Sequence, residues 1–205
     1  MTKKILITGA NGQLGHEMRN ALKGNNRFEC IFTDVAELDI CNAEAVKQTI
    51  ADNHIDYIVN CAAYTQVDKA EDNTELCRKI NTDAVENLAR AAADYGARMI
   101  HISTDYVFNG RGYRPYTEDM VPDPQSVYGS TKLEGEKILT DICPESIIIR
   151  TAWLYSPYGN NFVKTMLHLG EEREELSVVA DQIGTPTCAA DLAQAILVIL
   201  QADTF

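Results

Sequence analysis

Apolar residues fall into short continuous runs that alternate with longer stripes along the chain. Lys3–Thr8, Phe28–Thr33, Asp56–Asn60, Arg98–Ile102 and Ser146–Thr151 are such runs, bounded by turn residues, and they predict buried strands. Between them apolar residues recur at helical spacing. Leu14, Met18, Ala21 and Leu22 predict a first helix, and Asn42–Asn53 a second. Leu76, Ile80, Val85, Leu88, Ala89 and Ala92 place one long helix over Thr74–Tyr95, with Gly96 as its stop. Ser130–Ile142 reads as a helix ended by Pro144, and Asn161–Glu174 as one carrying Phe162, Met166 and Leu169. Leu176–Ala180 predicts a further short strand, and Asp191–Gln201 a final apolar helix capped near Ala189. The stretch from Asn109 to Gln125 is rich in Gly, Pro and Asp and reads as a loop or flap.

Strand and helix alternate at least five times, which predicts an α/β chain with right-handed crossovers and parallel strands. The expected fold is a Rossmann-type doubly wound parallel sheet. Residues 1–150 would form the dinucleotide-binding domain, and residues 151–205 a partial substrate-binding region interleaved with the core. In such a sheet the C-terminal strand ends share one edge. Gly9–Gly15, Ala62-Ala63, Ser103-Thr104, Thr151 and the Tyr128 helix would therefore converge.

With 205 residues, the chain has room for one good core. A net charge of -12 argues against binding the phosphate backbone of nucleic acid. Six cysteines form no Cys-x-x-Cys pair and have no zinc-ligand spacing, so no metal is expected. They read as small buried apolar residues in a reducing cytoplasm. The N-terminus lacks a signal-peptide pattern, and no apolar run is long enough to span a membrane.

Candidate chemistry sits at the predicted strand ends. Thr8-Gly9-Ala10-Asn11-Gly12-Gln13-Leu14-Gly15 lies between a strand and a helix. There Gly9 permits a tight turn, Gly12 lets a diphosphate approach the backbone, and Gly15 lets the helix pack close. The helix N-terminus adds free amides and a positive dipole end. Asp34, about 20 residues on, stands where an acidic side chain holds a ribose 2′-hydroxyl. Tyr128 and Lys132 are four apart and share a helix face. An ammonium beside the phenol would lower its pKa, making a tuned acid/base group for reducing a ketone. The spacing alone is unspecific; its place at the shared edge gives it weight. His101, between Ile100 and Ile102, reads as a strand residue and not as a catalyst.

These residues resemble an extended short-chain dehydrogenase, most closely the dTDP-4-dehydrorhamnose reductase family. The matching motifs are ILITGANGQLG (5–15), VNCAAYTQVDKAE (59–71), INTDAVENLARAA (80–92), HISTDYVFNG (101–110), PYTEDMVPDPQSVYGSTKLEGE (115–136), RTAWLYS (150–156), GNNFVKTML (159–167) and DQIGTPT (181–187). The resemblance covers the whole chain. It implies reduction of dTDP-4-dehydro-6-deoxy-L-mannose to dTDP-L-rhamnose by NADPH or NADH, with Asp34 favouring NADH. Tyr128 would give the proton to the C4 carbonyl oxygen. Lys132 would anchor the nicotinamide ribose, and Thr104 would hydrogen-bond the substrate oxygen. Thr104, Asp105, Tyr106 and Trp153 would contact the sugar. Asn11, Gly12, Gln13, Leu14, Asp39, Ile40, Ala62, Ala63 and Tyr64 would hold the dinucleotide beside Gly9, Gly15 and Asp34.

The resemblance leaves two other readings open: a different nucleotide-sugar reductase, epimerase or dehydratase, or a non-catalytic binding module like the regulatory subunit of methionine adenosyltransferase. It implies a cytoplasmic protein whose partner is a nucleotide sugar, with neither nucleic acid nor membrane, and it leaves room for a homodimer. Family members continue well past Phe205, so the substrate lobe is expected to be incomplete. The last helix, with Leu192, Ala195, Ile196, Ile199 and Leu200, would then be only partly covered.

Overall fold

In the computed structural model, which describes residues 2–202 and 205, the five apolar runs form one parallel sheet. Its strands are β1 (Lys3–Thr8), β2 (Phe28–Thr33), β3 (Tyr57–Asn60), β4 (Arg98–Thr104) and β5 (Ile147–Thr151), in the order β2-β1-β3-β4-β5. A second, two-stranded parallel pair joins β6 (Leu154–Tyr155) to β7 (Thr187–Cys188). The helices are α1 (Gln13–Ala21), α2 (Ala43–Asn53), α3 (Val67–Ala70), α4 (Thr74–Arg78), α5 (Ala84–Tyr95), α6 (Val127–Ile142), α7 (Phe162–Glu172) and α8 (Ala189–Ala202).

Alternation along each strand assigns its side chains to two cores. Leu6, Ile58 and Met99 pack with residues of α2, α5 and α6. Ile5, Ile7, Val59 and Ile100 pack on the other face with residues of α1 and α8. Both faces of the sheet are therefore covered, as a doubly wound sheet requires. The register sets Thr8, Asn60 and His101 side by side across β1, β3 and β4. They share the face of Leu6, Ile58 and Met99, so this polar row points toward α6.

The chain departs from the sequence reading in several places. Thr74–Tyr95 is not one α-helix, because a π segment, Lys79–Asp83, separates α4 from α5. A π turn holds one residue more than an α turn, so the apolar stripe changes phase there. Val85, Leu88, Ala89 and Ala92 face the core, but Leu76 is 48% exposed. Leu176–Ala180 forms no strand: no neighbouring strand pairs with it, and Val178 and Val179 are exposed. β4 runs two residues further than expected, to Thr104. α6 begins three residues early because Ser126 Oγ accepts the Gly129 N–H at 3.1 Å and caps it. Only Cys77 and Cys143 of the six free cysteines are buried. In α8, Leu192, Ile196 and Leu200 are buried against the sheet and α1, Ile199 is half-buried, and Ala195 and Val198 are exposed.

Candidate active site

The C-terminal edge of the sheet opens into a cleft of about 1100 Å³. The strand order reverses at β1, which puts the edge crevice between the β1 and β3 ends. Gly9 turns there with φ +64°, and a Cβ on it would lie 2.6 Å from the Ala62 nitrogen after β3. A Cβ on Gly15 would lie 2.5 Å from Ala10 Cα. Both positions therefore need glycine, one for the turn and one for the approach of α1 to it. Gly12 is the N-cap of α1 and has no side chain to spend on the first-turn amides. Those amides are left to a ligand or water.

The other residues expected to hold a dinucleotide divide into groups. Asp34 lies in the cleft wall, its carboxylate accepting from Asn11 N at 3.0 Å and Val35 N at 2.9 Å. It thereby ties the glycine turn to the end of β2. Gln13 also lines the cleft, but its Oε1 accepts from Asn161 Nδ2 at 2.8 Å, which links α1 to the start of α7. Leu14 and Ile40 are buried in the two cores and border the cleft. Asp39 borders it as well, and its Oδ1 accepts from Cys41 N. Ala62 and Ala63 line the wall after β3, but Tyr64 does not. Its backbone is clipped at both ends by Asn81, whose Oδ1 accepts the Tyr64 N–H at 2.9 Å and whose Nδ2 donates to the Tyr64 carbonyl at 3.1 Å.

Thr104, Asp105, Tyr106, Tyr128, Lys132 and Trp153 all reach the same cleft. Thr104 ends β4, and its hydroxyl is the hub of this group. It donates to Asp105 Oδ1 at 3.2 Å, accepts from Tyr106 N at 3.2 Å, and lies near enough to Tyr128 to act on its pKa. The Tyr106 ring meets Tyr128 edge-on with centroids 5.5 Å apart. Burial raises the Asp105 carboxyl above its usual range. Trp153 holds φ +51°, a costly conformation for a bulky residue, and its ring meets Phe162 edge-on at 5.1 Å.

Two expectations about Tyr128 and Lys132 need correction. Tyr128 is driven up, not down, to about 12. Burial is the main cause, the Thr104 hydroxyl works against it, and the Asp105 charge adds to it. The Lys132 ammonium was expected to lower it, but Lys132 Nζ is turned to the sheet. It donates to the Ile102 carbonyl at 2.6 Å and lies 3.1 Å from His101 Nε2. Burial lowers Lys132 to about 8, partly offset by Glu136. His101 is thus more than a strand residue, since it touches the lysine.

The sequence reading missed Leu76, Lys79 and Ile80, which line the cleft from α4 and the π segment. The helical spacing of Leu76 and Ile80 reads as core-facing, and no sequence signal singles out Lys79. Ser103 borders the cleft as the strand edge predicts, and its buried hydroxyl has no hydrogen-bond partner among the described residues. Among the described residues no cluster of acidic, histidine or cysteine side chains has the arrangement of a metal site.

Known proteins share the sequence and the fold. A family profile described as the RmlD substrate binding domain matches residues 3–204. The chain is 48% identical to a dTDP-4-dehydrorhamnose reductase of Escherichia coli K12, covering 92% of this chain and 64% of that protein. It therefore spans about two thirds of the length of such curated relatives. A crystal structure of a dTDP-4-dehydrorhamnose reductase from Clostridium acetobutylicum is 51% identical, with TM-score 0.94, over 97% of this chain and 70% of that one. Another, from Bacillus anthracis and in complex with NADP, is 44% identical, with TM-score 0.94, over 98% and 71%.

Proposed function

The chain belongs to the family of the RmlD substrate binding domain, and from that premise we propose that it carries out the NADPH- or NADH-dependent reduction of dTDP-4-dehydro-L-rhamnose to dTDP-L-rhamnose. One observation carries the reading: the glycine turn and the Thr104–Tyr128–Lys132 group open into one cleft. The cradle suits a dinucleotide, because a Cβ at Gly9 or Gly15 would collide with backbone and the first-turn amides of α1 carry no side-chain cap.

In this reading Gly9, Asn11, Gly12, Gln13, Leu14 and Gly15 hold the diphosphate largely through backbone. Asp34 meets the ribose hydroxyls, and Asp39, Ile40, Ala62 and Ala63 shape the dinucleotide's surroundings. The dinucleotide supplies a hydride when bound. Asp105, Tyr106 and Trp153 orient the sugar with its C4 oxygen between Thr104 and Tyr128. A tyrosine raised to about 12 stays protonated at neutral pH, which suits a group that must donate. As charge develops on the oxygen, Tyr128 hands over its proton and Thr104 steadies the alkoxide. Lys132 anchors the nicotinamide ribose and lowers the tyrosine's pKa once its charge turns to the cleft.

Asp34 favours a free 2′-hydroxyl, whereas one relative is solved with NADP; both cofactors remain within the reading. Residues 1–150 form the dinucleotide domain in this view, and 151–205 a partial substrate region whose α8 returns to the core. The chain works as a short-chain dehydrogenase in the cytoplasm on a nucleotide sugar. Among the described residues no helix is long and apolar enough to cross a membrane.

Titration with NADH and NADPH by calorimetry, followed by an assay of nicotinamide oxidation dependent on the dTDP-4-dehydro sugar, tests the reading. Binding with turnover is the expected result. No binding of either dinucleotide would overturn it, and binding without turnover would leave a pure binding module.

A further inference from the structure

The polar row Thr8–Asn60–His101 continues into Lys132, and its hydrogen bonds fix where the protons sit. Asn60 Oδ1 accepts the Ala62 N–H at 3.2 Å and the Thr8 hydroxyl at 2.7 Å. A backbone N–H can only donate, so this end of the amide is the oxygen. The Asn60 NH₂ therefore faces His101 Nδ1, at 3.0 Å, and donates to it. Nδ1 then carries no proton, and the neutral ring must carry it on Nε2. Nε2–H points at Lys132 Nζ, 3.1 Å away. Two donors cannot share a hydrogen bond, so this contact requires Lys132 to accept with a lone pair, as a neutral amine. The amine still donates to the Ile102 carbonyl.

We propose that His101 is a positioning residue that docks Lys132 as a neutral amine, so that Lys132 must gain a proton and leave the ring before its ammonium can serve the cleft. This deepens the reading above and rests on it for what the ammonium then does. Protonation takes one proton from cleft water and removes the lone pair that His101 holds. The ring cannot follow by moving its own proton to Nδ1, because the Asn60 NH₂ blocks that side. Charging the lysine and releasing it are thus one event.

Burial supports this, with Asn60, His101 and Lys132 all at 1% exposure or less. His101 is held well below the usual histidine range by burial and by Lys132, so it stays neutral. The other titratable groups facing Lys132 are Glu136, one turn on along α6, and the Cys77 thiol on α4. Glu136 is itself engaged by Arg150 from β5, at 2.6 Å.

The test is ¹⁵N-imidazole and ¹³Cε-lysine NMR on the whole chain, with His101 assigned among the four histidines by His101→Gln. The expected result is a neutral Nε2–H ring across roughly pH 6 to 9, with Lys132 titrating near 8. Asn60→Asp presents only acceptors to Nδ1. It should drive the ring proton there and free Nε2 to accept from an ammonium. The Lys132 titration should then rise by about one unit or more. His101→Gln, whose carbonyl can accept from an ammonium, should raise it as well. An Nδ1–H ring in the unmodified protein would overturn the proposal. So would a Lys132 titration that neither variant moves. Calorimetry of NADH binding just above pH 8, in two buffers of different ionisation enthalpy, should show proton uptake. Binding without uptake would overturn the coupling. No binding at all would overturn the functional reading, while the ring's tautomer would still decide whether the amine is docked.

Discussion

The two walls of the cleft are made by different means. One wall, from Gly9–Gly15 through Ala62 to Thr104 and Lys132, stands on strands whose residues Ile5–Ile7, Ile58 and Val59 are fully buried. The other, from Trp153 through α7 to Gln182, includes a helix with no buried residue and an irregular stretch where Val178 and Val179 are about half exposed or more. Groups on the first wall are held by strand register and by close backbone packing. Those on the second are held mainly by a few side-chain contacts, such as Gln13 with Asn161 and Trp153 with Phe162. The first wall has the rigidity that positioned chemistry needs, and the second has the low contact density of a surface that adapts.

Substitutions should separate the walls. The largest effect is expected at Tyr128, the proposed proton donor on the fixed wall. Tyr128→Phe should lower kcat by about 10²–10⁴-fold with little change in dinucleotide affinity. Retention of more than about a tenth of the rate would remove Tyr128 as the donor. Gly9→Ala should come next, because it adds left-handed strain to a collision with the Ala62 backbone. A loss of about 3 kcal/mol in urea unfolding is expected. A loss below about 1 kcal/mol would mean that this wall gives way more easily than its packing implies.

A third effect is carried by pH. Lys132 titrates near 8 in the fold against 10.5 for an ordinary lysine, so between these values the unfolded chain binds more protons. The stability contributed by this group is complete above pH 10.5 and is lost as pH falls through 8. The stability of the native chain minus that of Lys132→Met should therefore rise from about pH 8 to 10, by up to about 3 kcal/mol. A flat difference would place Lys132 in water. Tyr128 acts in the opposite sense only at higher pH. Held at about 12, it contributes stability that is lost as pH rises from 10 through 12. The smallest effect should come from the adaptable wall, where Gly170 sits in α7 with open space around a built Cβ. Gly170→Ala should stabilise by about 0.5–1 kcal/mol, opposite in sign to Gly9→Ala, as a thermal melt would show.

The same contrast governs how much could be read beforehand. β1, β2 and the glycine turn were legible because continuous apolar runs and glycine spacing are local signals, and the structure places them where the sequence does. The convergence of Ser103, Thr104, Thr151 and the Tyr128 helix on one cleft followed from parallel strands sharing an edge, whereas Asp105, Tyr106 and Trp153 were implied only by the family resemblance. What escaped depended on partners distant in sequence. Leu176–Ala180 has the composition of a strand, but no strand lies beside it. The direction of Lys132 is set by His101 and the Ile102 carbonyl, 31 and 30 residues away. Helical spacing could not show this. The cleft-facing role of Leu76 and Ile80 was hidden because their periodicity is real but out of phase with that of α5.

That phase change has a consequence for gene sequences. The extra residue in Lys79–Asp83 is equivalent to a one-codon insertion in an ordinary helix. Deleting any one of these codons would let α4 and α5 fuse into a regular helix, turning one half against the other by roughly 100°. Leu76 would swing from the cleft toward the core, and Asn81 would lose its clip on Tyr64. A scan of single-residue replacements, however complete, would never sample that lesion, whereas a library of in-frame deletions would reach it in five clones.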